Sequence, residues 1–140
     1  MMALCMGLAG IVWAELPVSS FTLAWTHTIE KVRWEEDYQT TEQGLVLGEA
    51  RVRGAGAGME IPAGARLENG SWHFRRQLPP LRSLRLGRTP EAGDYQLCFD
   101  GQCRAMSHWL GAPVVSQPAV ELWPCIRRPY MGRWVFTATP

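Results

Sequence analysis

The chain has 140 residues, 46% of them hydrophobic and 19% charged, with a net charge of +1. That length and balance fit one domain with a packed core. They exclude a largely disordered chain and any general electrostatic pull toward nucleic acid or a membrane surface. The charge is unevenly spread: residues 1–68 carry five basic and nine acidic side chains, and residues 69–140 carry nine basic and four acidic. Every basic residue except Lys31 is Arg.

Met1–Trp13 is an uncharged apolar run, followed by Ala14 and Glu15. It is too short to span a bilayer as a helix. It reads as the hydrophobic region of a secretory signal, with Val12 and Ala14 as small residues before a cut, although a positive n-region is missing. Residues 1–14 are therefore expected to be a signal peptide and the mature chain to begin near Glu15. The alternative is a buried N-terminal strand or helix.

Phe21–Tyr38 holds the densest set of ionisable residues. Successive strand side chains point to opposite faces. Phe21, Leu23 and Trp25 share one face, and that parity continues to His27. In the next run Val32, Trp34 and Tyr38 share a face that includes Glu36, while Arg33, Glu35, Asp37 and Gln39 read as a solvated face. A hairpin through Thr28–Lys31 then makes His27 and Glu36 mutual partners on the core side. A buried imidazole or carboxylate needs such a partner. The pair serves either to fix strand register or to bind a ligand or receptor, and both readings stay open here.

Gly44 opens a third run, LVLGEARVR, in which Leu45, Leu47, Glu49 and Arg51 alternate with Val46, Gly48, Ala50 and Val52. Gly48 marks a bulge candidate. The glycines of GAGAGMEIPAG, Gly56 and Gly58 among them, permit a close backbone approach or an anion nest. The spacing is not that of a dinucleotide fingerprint, and Pro62 argues against a helix opening there. Glu68–Asn69–Gly70 is a turn and Ser71–Gln77 a strand. Leu81, Leu84 and Leu86 form a short apolar run past Pro79–Pro80.

In CFDGQC, Asp100–Gly101 is a strong type I′ hairpin signal. It sets Cys98 opposite Cys103 within disulfide range. Cys125 is left over, and no C-x-x-C spacing supports a thiolate metal site. From Gly111 the prolines multiply, so residues 111–140 are expected to be an irregular aromatic tail packed on a β domain of residues 15–110. Short strands between turn signals predict an all-β sandwich or open barrel.

Catalytic motifs are scarce. G-x-S-x-G and H-E-x-x-H are absent. The H-x-x-E of His27 and Glu30 needs a helix to align both side chains, and this stretch reads as strand and turn. A metal-assisted hydrolase built on His27 with Glu30, Glu35, Glu36 or Asp37 remains a minor alternative, as does a structural envelope domain.

THTIEKVRWEEDY followed by LVLGEARVRGAGAGME resembles a small bacterial extracytoplasmic family of unknown function. Its pattern has an H-S-V-E segment, a Glu shortly before an aromatic, and a later G-A-G loop. The pattern falls on His27, Thr28, Ile29 and Glu30, then Glu36 with Tyr38, then Gly56, Ala57 and Gly58, with Thr28 in place of Ser. Members are often encoded beside tripartite TRAP transporters of the TAXI type. The resemblance implies a periplasmic accessory or binding protein whose partners are a TAXI-type solute receptor or TRAP membrane subunits. It establishes no catalytic activity, and no cofactor is expected. The candidate binding residues are His27, Glu30, Glu36, Gly56 and Gly58, with an acidic rim of Glu30, Glu35 and Asp37 for docking a basic surface.

Overall fold

A computed structural model describes residues 2–26, 31–53 and 62–126. The elements are β1 (Met2–Leu8), β2 (Ile11–Leu16), β3 (Ser20–Thr26), β4 (Arg33–Thr41), β5 (Gly44–Arg53), β6 (Arg66–Glu68), β7 (Ser71–Arg75), β8 (Leu84–Gly87), β9 (Gln96–Phe99), β10 (Gln102–Ala105), the one-turn helix α1 (Ser107–Leu110) and β11 (Ala119–Ile126). They form two antiparallel sheets, ordered β2-β1-β11-β8 and β10-β9-β3-β4-β5-β7-β6. The sheets face each other without closing into a barrel, so the expected all-β sandwich is the architecture.

Alternation builds the shared core. Leu4 and Met6 of β1 face inward with Leu122 and Val120 of β11. They meet Phe21, Leu23, Tyr38, Leu45, Leu47 and Leu97 from the larger sheet. A second, smaller cluster of Ala50, Val52 and Phe74 is covered by Val32, Trp34 and Ala65. Three two-residue turns carry positive φ at both positions: Ala9–Gly10, Asn69–Gly70 and Asp100–Gly101. Paired positive φ is what a type I′ hairpin turn demands.

Two expectations about the chain's ends are corrected. Met2–Leu8 is a strand in the interior of the smaller sheet, between β2 and β11, with Ala3, Leu4, Cys5 and Met6 at 0–1% exposure. A continuous apolar run is also the signature of a strand buried on both faces, and that is how the fold uses it. Residues 2–14, expected as part of a signal peptide, form β1 and most of β2 in this structure. The tail is likewise regular over Ala119–Ile126, which lies between β1 and β8. Pro124 stands past the last β8 pair, at Leu122, where β11 has only β1 beside it. A missing N–H is tolerated best on such a half-open strand. Cys125, expected to be left over, is bonded to Cys5. Cys98 and Cys103 are bonded to each other, as the hairpin register predicts.

Candidate functional site

The site is the outer face of the seven-stranded sheet, and a bulge creates it. Strict alternation along β5 would turn Glu49 and Arg51 toward the core with Leu45 and Leu47. The β4–β5 register instead shifts between Glu36 and Tyr38: Glu36 pairs with Ala50, but Tyr38 pairs with Leu47. Gly48 and Glu49 together oppose Asp37, which reverses the parity of all that follows. Ala50 and Val52 become core residues. Glu49 and Arg51 emerge on the outer face beside Glu35 and Asp37. One extra residue in one strand is the ordinary anatomy of a bulge.

Arg51 then becomes the centre of a closed lattice. Its Nε donates to Glu35 Oε1 at 2.9 Å, and its two terminal nitrogens donate to both oxygens of Asp37 at 2.8 Å. Nη1 also donates to Glu49 Oε1 at 3.0 Å. Each carboxylate has a second partner. Arg33 Nε donates to Glu35 and its Nη1 to Gln96, the Thr22 hydroxyl donates to Asp37 at 2.7 Å, and His73 Nδ1 contacts Glu49 at 2.9 Å. Arg66 lies 3.5 Å from Glu49. Bidentate guanidinium–carboxylate pairing fixes geometry as well as charge.

The electrostatics follow. Burial alone would raise the Glu35 and Asp37 carboxyls, but hydrogen bonds and charge from Arg51, aided by Arg33 and Thr22 respectively, outweigh it and hold both below the ordinary carboxylate value. His73 and then Arg51 do the same for Glu49 against a smaller burial effect. Arg51 is pushed further up by Asp37 first, with Glu35 and Glu49 adding to it against burial. Glu35, Asp37, Glu49 and Arg51 are thereby held in their charged forms at neutral pH and are poorly matched to proton transfer there, since a general acid or base works best with a pKa near the operating pH.

Above this floor lies an open groove of about 680 Å³, reaching from Gly48 and Arg75 on one side to Cys98 and Asp100 on the other, with Thr22, Asp37 and Gln39 along it.

The sequence-derived candidates fall elsewhere. Glu36 pairs with Leu23 and Ala50, both buried, so it stands on the inner side as parity predicts. Its carboxylate accepts from the Tyr38 hydroxyl at 2.9 Å. Burial first, then the Glu36 charge and hydrogen bond, push the Tyr38 phenol well above its ordinary value, and burial with Glu36 raises Tyr95. His27, Glu30, Gly56 and Gly58 lie outside the described residues, so no contact between His27 and Glu36 is described. The strand ends that flank them do converge. Thr26 pairs with Arg33, Trp34 with Val52, and Arg53 with Ser71, all at one end of the sheet. Of the expected acidic docking rim, Glu30 lies outside the described residues, Glu35 is paired with Arg33 and Arg51, and Asp37 is paired with Arg51.

Sequence reading missed the lattice, although a signal was present. R-x-E-x-D in β4, E-x-R in β5 and H-x-R in β7 each place alternating polar groups on one face. What concealed the match was the bulge, since without it Arg51 faces the wrong way.

No curated protein and no solved structure matches the chain. The family model described as a domain of unknown function (DUF1850) matches residues 21–106, the segment that contains the bulge, the lattice and the Cys98–Cys103 hairpin, and the chain belongs to that family.

Proposed function

We propose that the protein is an extracytoplasmic accessory or binding module of a TAXI-type TRAP solute transport system, without a catalytic step of its own, and that the groove over the Arg51 lattice is its contact surface. The observation that carries this reading is the state of the three carboxylates. Glu35, Asp37 and Glu49 are all spent on Arg51 and its neighbours. They form a rigid, preorganised polar floor suited to recognition. The same commitment weakens the metal-assisted hydrolase reading, because Glu35 and Asp37 would have to abandon guanidinium partners to hold an ion. The two disulfides support a compartment outside the cytoplasm, where such bonds persist. The transport partner rests on the family resemblance.

The test is affinity capture of the full chain from native membranes, with mass spectrometry of what is retained. A TAXI-type solute receptor or a TRAP membrane subunit should be recovered. Reversing the exposed groove rim with Arg75→Glu and Gln39→Arg should lower that recovery about tenfold, a loss on the order of 1.4 kcal/mol, without lowering the melting temperature. Absence of any transporter component, together with normal solute uptake in a deletion strain, would overturn the reading. A structural envelope domain would then be favoured, since a self-satisfied lattice also suits a purely architectural role.

A further inference from the structure

The two disulfides differ at one sulfur each, buried Cys5 against exposed Cys103, while Cys125 and Cys98 are both half-buried. Cys5 is 1% exposed on β1, which is flanked by β2 and β11, and its bond to Cys125 spans 120 residues of sequence. Cys103 is exposed on β10, an edge strand whose neighbour is β9, and its bond to Cys98 spans five residues. Closing so short a loop removes little chain entropy. The hairpin is already set by Asp100–Gly101 and by four cross-strand pairs, from Gln102–Phe99 to Ala105–Gln96. This bond is therefore not needed to hold the strands together.

Its direction matters more. Cys98 pairs with Thr22 of β3 on one side and with Cys103 on the other, so the bond runs across the strands toward the sheet edge. Exchange requires a thiolate to approach in line with the S–S axis. Cys98 is half-buried on a strand flanked by β3, whereas Cys103 is exposed on the edge strand, so Cys103 is the more accessible sulfur. The bond also lies in the wall of the groove, which Cys98 lines with Thr22 and Asp37.

We propose that Cys98–Cys103 is a thiol–disulfide exchange site for a dithiol reductant, attacked at Cys103, while Cys5–Cys125 remains a closed structural bond. The partner thiolate forms a bond to Cys103 Sγ, and the Cys98–Cys103 bond breaks. The electron pair leaves on Cys98 Sγ, which takes a proton from water. The partner's second thiol, losing its proton, attacks its own sulfur in the mixed disulfide and releases Cys103 as a thiolate, which is protonated in turn. Two electrons pass to this protein and the partner dithiol becomes a disulfide. The hairpin keeps the two thiols opposed, so the reverse exchange with the partner's disulfide, which takes back the two electrons and becomes a dithiol, restores the bond. This site stands independently of the transport reading.

The experiment treats the native full chain with dithiothreitol, quenches with N-ethylmaleimide at intervals, and maps labelled cysteines by mass spectrometry alongside near-ultraviolet circular dichroism. Cys98 and Cys103 should be labelled at least about 100-fold faster than Cys5 and Cys125, since Cys5 is buried inside the smaller sheet and shields its half-buried partner, and the dichroism should persist. A thioredoxin-type reductase whose resolving cysteine is replaced by Ser should be trapped on Cys103. Reduction of both bonds at one rate, labelling only after loss of tertiary signal, trapping on Cys98, or no adduct would each overturn the proposal. The Cys98→Ser variant, tested for folding, shows directly that the bond is dispensable; failure of that variant to fold would also overturn it.

Discussion

Arg51 decides whether the outer face is a lattice or three crowded carboxylates. Its side chain is 19% exposed and carries four hydrogen bonds to Glu35, Asp37 and Glu49. Arg51→Met keeps most of the aliphatic contact but strands the acids, and after allowing for solvent screening the loss should be about 1–3 kcal/mol in a urea unfolding experiment. The pH dependence has a definite sign. Folding lowers these carboxyls from ordinary values of 4.5 for the glutamates and 3.8 for Asp37. Near those values the unfolded chain binds more protons than the native one, so stability rises with pH. The contribution is complete above the ordinary values and is lost as pH falls through the lower native ones. Urea midpoints measured from about pH 6 to about pH 3 should fall steeply in the wild type and more gently in Arg51→Met. At this scale the sequence was half legible. Parity alone put Arg33, Glu35 and Asp37 on one face and Glu36 on the other. It could not show that the solvated face had partners, because those partners lie on β5, past the bulge.

At the scale of the element, the bulge at Gly48 is a parity switch. A side chain at that position meets only ordinary contacts, with Asp37 O at 3.7 Å and Arg75 Nη1 at 3.8 Å from an added Cβ. Gly48→Ala should therefore change stability by less than about 1 kcal/mol. Deleting Gly48 removes the extra residue, so Glu49 alone opposes Asp37 and plain alternation keeps Glu49 and Arg51 outward and Ala50 and Val52 inward. The deletion should therefore keep a cooperative thermal transition, and the alanine variant should melt close to wild type. The sequence flagged Gly48 as a bulge, yet the partner register that reveals its consequence is a tertiary fact. The hairpins were more legible because a type I′ turn is written in two adjacent residues, as at Asn69–Gly70 and Asp100–Gly101. The β1–β2 turn was not, because Ala9 is an unusual residue for positive φ and the apolar run around it also fits a leader.

The whole molecule is fastened between its first and last described strands. Removing residues 1–14 would delete β1 and most of β2, with Leu4 and Met6 from the centre of the core. Such a truncation should not fold, and N-terminal sequencing of the native protein should find Met2–Leu8 still present. Replacing Cys5 and Cys125 together by Ala should cost about 4–5 kcal/mol in the chain-entropy account of a loop this long, read as a fall in denaturation midpoint. The strands within 1–14 and at Ala119–Ile126 were hard to read from sequence for one cause. Each segment lacks charge or regular pattern by itself, and each gains its meaning from the other through the β1–β11 ladder. That ladder also governs how the protein carries tension. Met2 and Ile126 are cross-strand neighbours, and the Cys5–Cys125 bond lies just inside them. A pull applied at Met2 and Ile126 separates those few residues and then meets a covalent bridge, so the load bypasses the sandwich altogether. Stretched between Met2 and Ile126, the oxidised molecule should yield almost no length. The reduced one should pay out its 120-residue loop at roughly 3.5 Å per residue. A load applied between Met2 and Ile126 would leave the groove undeformed.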